Sequence, residues 1–201
     1  MGRSTKAPRG YRLGRRAEAA AETRRRIVKA TFELHSEQGI ADTSMTDIAQ
    51  RAGVSVGTVY HHFATYAEAI VACGAYVAEH EPAPTAAIFD GVTSRRARVE
   101  GLVYALFKHY LRVPALESVR RDRDLTPELD AFAREETKSR RMLAARAAGP
   151  RDAALVAAFT DIDVFRALRR EGFSAADAAG RVAESLNLLL DAGRGAGPRS
   201  N

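Results

Sequence analysis

The stretch SVGTVYHH, Ser55 to His62, gathers the side chains best suited to chemistry with another molecule. Read as a helix, it turns Val56, Gly57, Thr58, His61 and His62 outward. None of these is Lys, Glu or Asp, the residues that ordinarily solvate an exposed helix. Hydroxyls and imidazoles donate and accept hydrogen bonds, and small groups allow close approach. That chemistry suits reading the edges of bases, not breaking bonds. The chain has no phosphate-cradling glycine motif, no GxSxG elbow, no HExxH and no paired CxxC. Two adjacent histidines do not aim both rings one way on a helix. No catalytic residue, metal ligand set or cofactor is expected, and an enzyme is the disfavoured alternative.

The elements that must position this stretch lie just before it. Ser44 caps a helix, with Asp47 in the capping-box position. Met45, Ile48, Ala49 and Ala52 share one face at helical spacing. Gly53 stops that helix, because glycine enters the left-handed region at little cost. Val54 plugs the turn and Ser55 caps the second helix. Val59, Tyr60 and Phe63 form the inward stripe of that second helix. Helix, tight turn and outward-looking helix make a helix-turn-helix, whose second helix enters the DNA major groove. On pattern alone, an ordinary helical hairpin inside an all-α domain remains the alternative.

From Thr23 to Val77 the chain resembles the tetracycline-repressor (TetR) family of bacterial transcriptional regulators. The residues TRRRIVKATFELHSEQGIADTSMTDIAQRAGVSVGTVYHHF, and the helix after them, carry the likeness, with DIAxxAGVSxGTxYxHF as its signature. The resemblance implies base or phosphate contacts at Ser44, Thr46, Ser55, Val56, Gly57, Thr58, Tyr60, His61 and His62, and a further contact position at Tyr66. Ser44 and Ser55 would donate to phosphates. Tyr60 would pack inward with its hydroxyl at the backbone. Val56 and the Thr58 methyl would touch thymine methyls, and His61 would bond a base edge or phosphate. His62 either does the same or packs against the following helix. Many members carry lysines where this chain has Val56 and Tyr66. Their absence weakens the electrostatic attraction to phosphate, which the basic N-terminus with Arg24, Arg25 and Arg26 offsets. The partners implied are double-stranded operator DNA, a second copy in a homodimer and an unidentified small-molecule effector, with repression as the favoured mode.

The 201 residues carry a formal charge of +6. Arg3, Lys6, Arg9, Arg12, Arg15 and Arg16 lie in the first sixteen residues with no acid among them, which accounts for the whole excess. Such an arm neutralises phosphates or enters a minor groove; a solvated tail is the other reading. A nucleoid protein binding through many cations is disfavoured, since the remainder is neutral. Hydrophobic residues at 46% and charged residues at 28% suit a globular core. No apolar run is long enough to cross a bilayer, and the basic N-terminus lacks the apolar segment of a secretory leader. Cys73 is the only cysteine, so no internal disulfide is expected. These features point to a cytoplasmic protein.

The expected fold is all-α. Residues 1–16 are read as a basic flexible arm, 17–80 as a three-helix helix-turn-helix domain, and 81–201 as a helical ligand-binding and dimerisation domain. Helices are predicted over Ala17–Gln38, Tyr66–Glu79, Ser94–Val113, Ala115–Arg123, Thr126–Ala148, Arg151–Glu171 and Ser174–Ala192. Tyr104, Phe107, Tyr110, Phe132, Met142, Phe159 and Phe165 are candidates to line an apolar effector pocket, against the alternative that they fill the core. Leu155, Ile162, Ala179, Val182, Ala183, Leu186 and Leu190 are candidates for a dimer face, against an intramolecular one. Asp161 and Asp163 read as surface acids or as a polar contact for an effector.

Overall fold

The computed structural model describes residues 9–195. Among them are ten α-helices, two 3-10 turns and no strand. The contacts divide the chain into two units, Met1–Tyr76 and Val77–Asn201, a few residues earlier than the boundary expected between residues 80 and 81.

The first unit holds α1 (Arg9–Glu37), α2 (Met45–Ala52), α3 (Val56–His62) and most of α4 (Tyr66–His80). Ile27, Val28, Ala30 and Leu34 of α1 meet Met45, Ile48, Ala49 and Ala52 of α2, Val59 of α3, then Phe63 and Ala69. The helix α1 starts at Arg9, not at Ala17. Its Ala-, Arg- and Glu-rich beginning has high helix propensity, which outweighs Gly10 and Gly14. The expected flexible arm is therefore helical over residues 9–16, and its first eight residues lie outside the described ones.

In the second unit, α5 (Arg95–Arg112) is central. Its Val99, Leu102, Val103, Leu106, Phe107 and Tyr110 are buried against α7 (Pro127–Ala148), α8 (Ala153–Phe159), α9 (Ile162–Arg170) and α10 (Ala175–Gly195). The short α6 (Leu116–Arg121) precedes α7, which Thr126 caps through a 3.2 Å bond from the Leu129 N–H, with Pro127 in its first turn.

The single helix expected over Arg151–Glu171 is broken into α8 and α9. Thr160 ends α8 by donating its hydroxyl to the Val156 carbonyl. Asp161 is extended and caps α9, accepting from the Asp163 N–H at 3.0 Å. Its carboxylate also accepts from Arg120 at 2.5 Å and pairs with Arg140 at 2.8 Å. Arg140, itself buried, donates to the Ala157 carbonyl. Asp161 is thus the anchor of an internal ion cluster, not a surface acid, whereas Asp163 is exposed.

The face of α10 predicted to pair two copies is covered within the protomer. Ala179, Val182, Ala183, Leu186 and Leu190 are buried in the core, as is Ile162 of α9. Only Leu155 of the predicted set is exposed. The apolar residues that α10 leaves outside are Leu188 and Leu189. Periodicity shows that a face is apolar but not which surface covers it.

Burial would push the Asp161 carboxyl up, but the bonds from Arg120 and the Asp163 N–H and the Arg140 charge outweigh it and hold it below its ordinary value. A lowered folded-state value stabilises the fold above the unfolded carboxyl's pKa of about 4 and is lost as pH falls through the folded value. Asp161→Asn should therefore flatten the acid side of the stability–pH curve. Asp161→Ala, which leaves Arg140 with Glu136 as its remaining carboxylate, should cost about 2 kcal/mol in urea unfolding near neutral pH, against under about 0.5 kcal/mol for the exposed Lys138→Ala.

Candidate nucleic-acid interface

Both ends of α2 are closed by local bonds. Ser44 Oγ accepts from the Asp47 N–H at 3.2 Å, and Asp47 Oδ2 accepts from the Ser44 N–H at 2.9 Å. The Asp47 carboxyl accepts from the Ser44 hydroxyl at 2.6 Å as well as from the Ser44 N–H, and these bonds hold it below its ordinary value. At the other end Gly53 adopts φ 65°; its N–H bonds the Gln50 carbonyl while that of Val54 bonds the Ala49 carbonyl. This paired closure needs a left-handed residue. Arg26 of α1 reaches over and donates to the carbonyls of Ala52 and Gly53. Sequence reading missed this clamp. A contact between residues so far apart in sequence leaves no periodic signal.

The turn delivers the chain to Ser55, whose hydroxyl accepts from the Thr58 N–H at 3.1 Å and shares a 2.8 Å bond with the Thr58 hydroxyl. Val59 and Phe63 face inward, and Val56 packs partly against the core. Ser44, Thr46, Ser55, Gly57, Tyr60 and His61 are exposed, while Thr58 and His62 are half-buried. Tyr60, expected to pack inward, is instead 51% exposed. The Val59–Phe63 spacing already fills the inward side of so short a helix. Nine of the ten expected contact residues therefore lie on or at the margin of one surface around α2 and α3.

Tyr66 is the exception. Its hydroxyl donates to the Ile40 carbonyl at 2.7 Å and lies 2.9 Å from His35 Nε2. It ties α4 to α1 and to the loop before α2, where a lysine would have reached outward.

Gly57 has no role inside the protomer. A Cβ there would meet only Ser55 Oγ, at an ordinary 3.8 Å, and its backbone is not left-handed. Glycine in a helix costs up to about 1 kcal/mol relative to alanine. A bare backbone there leaves room for close approach to α3 from outside. His61 and His62 end the helix with ring centroids 5.5 Å apart. Burial first, then the charges of His61 and Arg24, hold the His62 imidazole below its ordinary value. The three arginines expected to offset the missing lysines are differently employed. Arg24 lies 4.7 Å over the Phe63 ring, Arg25 bonds Glu22, and Arg26 clamps the turn.

The residues expected to line a pocket divide between the core and the surface. Phe107, Tyr110 and Phe165 pack on each other in the core at centroid distances of 5.0–6.3 Å. The Tyr110 hydroxyl donates to the Thr160 carbonyl at 3.1 Å. Phe159 is partly buried, while Tyr104, Phe132 and Met142 are exposed. A shallow recess lies elsewhere, lined by Glu171, Gly172, Phe173, Asp177 and Arg181. Cys73 is buried, which pushes its thiol up to about 12 and keeps it neutral.

Residues 27–68 match the sequence profile of the bacterial regulatory proteins of the tetR family. Over 47 residues the chain is 47% identical to the HTH-type transcriptional regulator SrpR of Pseudomonas putida, covering 23% of this chain and 22% of SrpR. It is 44% identical over 46 residues to AcrR of Shigella flexneri, covering 23% of this chain and 21% of AcrR. These relatives are thus matched over about a fifth of their own length. The crystal structure of SCO7518 from Streptomyces coelicolor A3(2) superposes with a TM-score of 0.56 at 27% identity, over 81% of this chain and 97% of that one. A TetR transcription regulator from Haloarcula marismortui shares the fold, with a TM-score of 0.58 at 19% identity, over 86% of this chain and 98% of its own. Among the described residues no helix is long and apolar enough to cross a membrane. Residues 27–68 thus carry a helix-turn-helix similar to that of the tetR family of bacterial regulatory proteins, and the helical fold of the chain is shared with solved structures of transcriptional regulators.

Proposed function

We propose that the chain is a cytoplasmic, DNA-binding regulator of transcription that places α3 in the major groove of an operator. The observation that carries this reading is the outer face of α3. It combines a glycine the protomer does not need with exposed hydroxyl and imidazole groups and no side chain that is permanently charged. Ser44 and Ser55 would donate to phosphate, Thr58 would meet base edges, His61 would meet a base edge or phosphate, and Tyr60 would lie along the backbone. Repression is the mode proposed, since a protein seated on a promoter groove excludes polymerase without further machinery.

A single α3 reads one short site, so a two-fold dimer would read an inverted repeat with centres roughly 34–36 Å apart. With the inner face of α10 already covered, the second copy would meet Leu155, Leu188 and Leu189. A small-molecule effector would act by preferring a conformer with another spacing. It would have to open the aromatic core around Phe107, Tyr110 and Phe165, because those rings now fill it.

Selection of duplexes from a random library should return an inverted repeat. Against it, Thr58→Ala and His61→Ala should each weaken binding by about 1–3 kcal/mol with the fold unchanged. Gly57→Ala should separate stability from function: up to about 1 kcal/mol more stable to urea, yet weaker on DNA. Unaltered binding by all three variants would remove α3 from the interface.

Replacing the six cations of residues 1–16 should weaken binding to every sequence. The log–log salt slope should fall by about 0.9 for each phosphate that is no longer neutralised. An unchanged slope would leave those residues no part in binding.

Leu188→Glu with Leu189→Glu should convert the dimer to a monomer in sedimentation. A dimer that survives both changes uses another face.

A further inference from the structure

The reading head is short of permanent positive charge. From Ser44 to Tyr76 the only Lys or Arg is Arg51. Its guanidinium is held by Glu37 at 2.6 and 2.9 Å and lies 3.6 Å from Glu33. The same stretch contains two carboxylates, Asp47 and Glu68. DNA offers a dense row of phosphates, and a protein ordinarily meets it with lysine and arginine. Here any cation that α3 itself presents must come from His61 or His62.

The placement of these imidazoles favours that role. They occupy the last turn of α3, where the helix dipole stabilises positive charge. His61 is exposed and His62 half-exposed, with the rings edge to face. The charged groups on the surrounding elements are few. From α1, Arg24 stacks over Phe63. From α2, Asp47 is committed to Ser44 and Arg51 to Glu37 and Glu33. From α4, Glu68 accepts from the Ala64 N–H at 2.8 Å. Partial burial first, then the charges of His61 and Arg24, oppose protonation of His62 in the unbound protein. A phosphate oxygen beside that ring would act against these effects.

We propose that His61 and His62 take up protons as they meet DNA phosphate, so that operator binding strengthens as pH falls. This rests on the reading of α3 as the DNA-contacting element. A phosphate oxygen beside an imidazole raises its pKa in the complex above that in the unbound protein. Affinity then climbs as pH drops through the value in the complex and levels off below that of the unbound protein. For His62 the unbound end of that window lies below the ordinary histidine value, through burial and the charges of His61 and Arg24. Each proton fully taken up changes Kd by about tenfold per pH unit. The cations of α1 add a constant attraction, because arginine does not titrate there.

The test uses the full chain and a duplex recovered by selection from a random library. Kd is measured at about pH 6, 7 and 8 at one ionic strength. Calorimetry at about pH 7 is run in phosphate and in Tris, whose ionisation heats differ. We expect binding at least about tenfold tighter at pH 6 than at pH 8, and heats that differ between buffers in the sense of proton uptake. His61→Gln with His62→Gln should flatten the pH dependence, with folding checked by circular dichroism. His61→Arg, a permanent cation, should bind well at pH 8 and lose much of the slope. Equal heats in the two buffers with a pH-independent Kd would overturn the proposal while leaving DNA binding intact. So would a slope that survives the double glutamine change. Absence of binding at every pH would overturn the DNA reading itself, and this proposal with it.

Discussion

The direction in which α3 points depends on one residue's backbone. Gly53 sits at φ 65° and closes α2 with two backbone bonds while turning the chain into Ser55. An L side chain is strained in that region. The guanidinium of Arg26, bonded to the Ala52 and Gly53 carbonyls, would also lie 3.2 Å from a Cβ there. The glycine and the arginine therefore form one device. The first permits the turn, and the second ties its exposed carbonyls to the long helix behind it. Everything the outer face of α3 presents depends on this geometry being rigid. The inward Val59 and Phe63 then fix the rotation of α3 about its own axis.

The remainder of the first unit serves the same end. Tyr66 spends its hydroxyl on Ile40 and His35, and so joins α4 to α1 and to the loop before α2. Arg51 spends its charge on Glu37 and Glu33. These internal uses hold the head together but leave few permanent cations facing outward from it. If α3 meets DNA, constant charge comes from α1, and any cation that α3 adds comes from its imidazoles.

Much of the head was legible in the sequence because its determinants are local. The Ser44–Asp47 box, the Gly53 stop, the Ser55 cap and the 45-48-49-52 stripe each act within a few residues, and a sequence pattern records such relations directly. What was not legible depended on partners distant in sequence. The α10 stripe was visible, but that α5 rather than a second copy covers it was not. Phe107, Tyr110 and Phe165 have the composition of a pocket and the packing of a core. The break at Asp161 was hidden inside a continuous helical pattern, and the two arginines that hold its carboxylate come from α6 and α7, distant in sequence. Tyr66 and Tyr60 exchanged expected roles for a related reason. Spacing alone does not say which of two tyrosines finds a buried acceptor for its hydroxyl.

If α3 reads DNA, the surface of α2 and α3 is what a bound duplex covers. Amide hydrogen exchange across the whole chain, with and without a duplex recovered by selection, tests this directly. Bound duplex should slow exchange over residues 44–62, most strongly at the exposed first turn of α3 around Gly57, with smaller slowing at the start of α1. Unchanged exchange over residues 44–62 in a saturated complex, with slowing confined to the second unit, would contradict it.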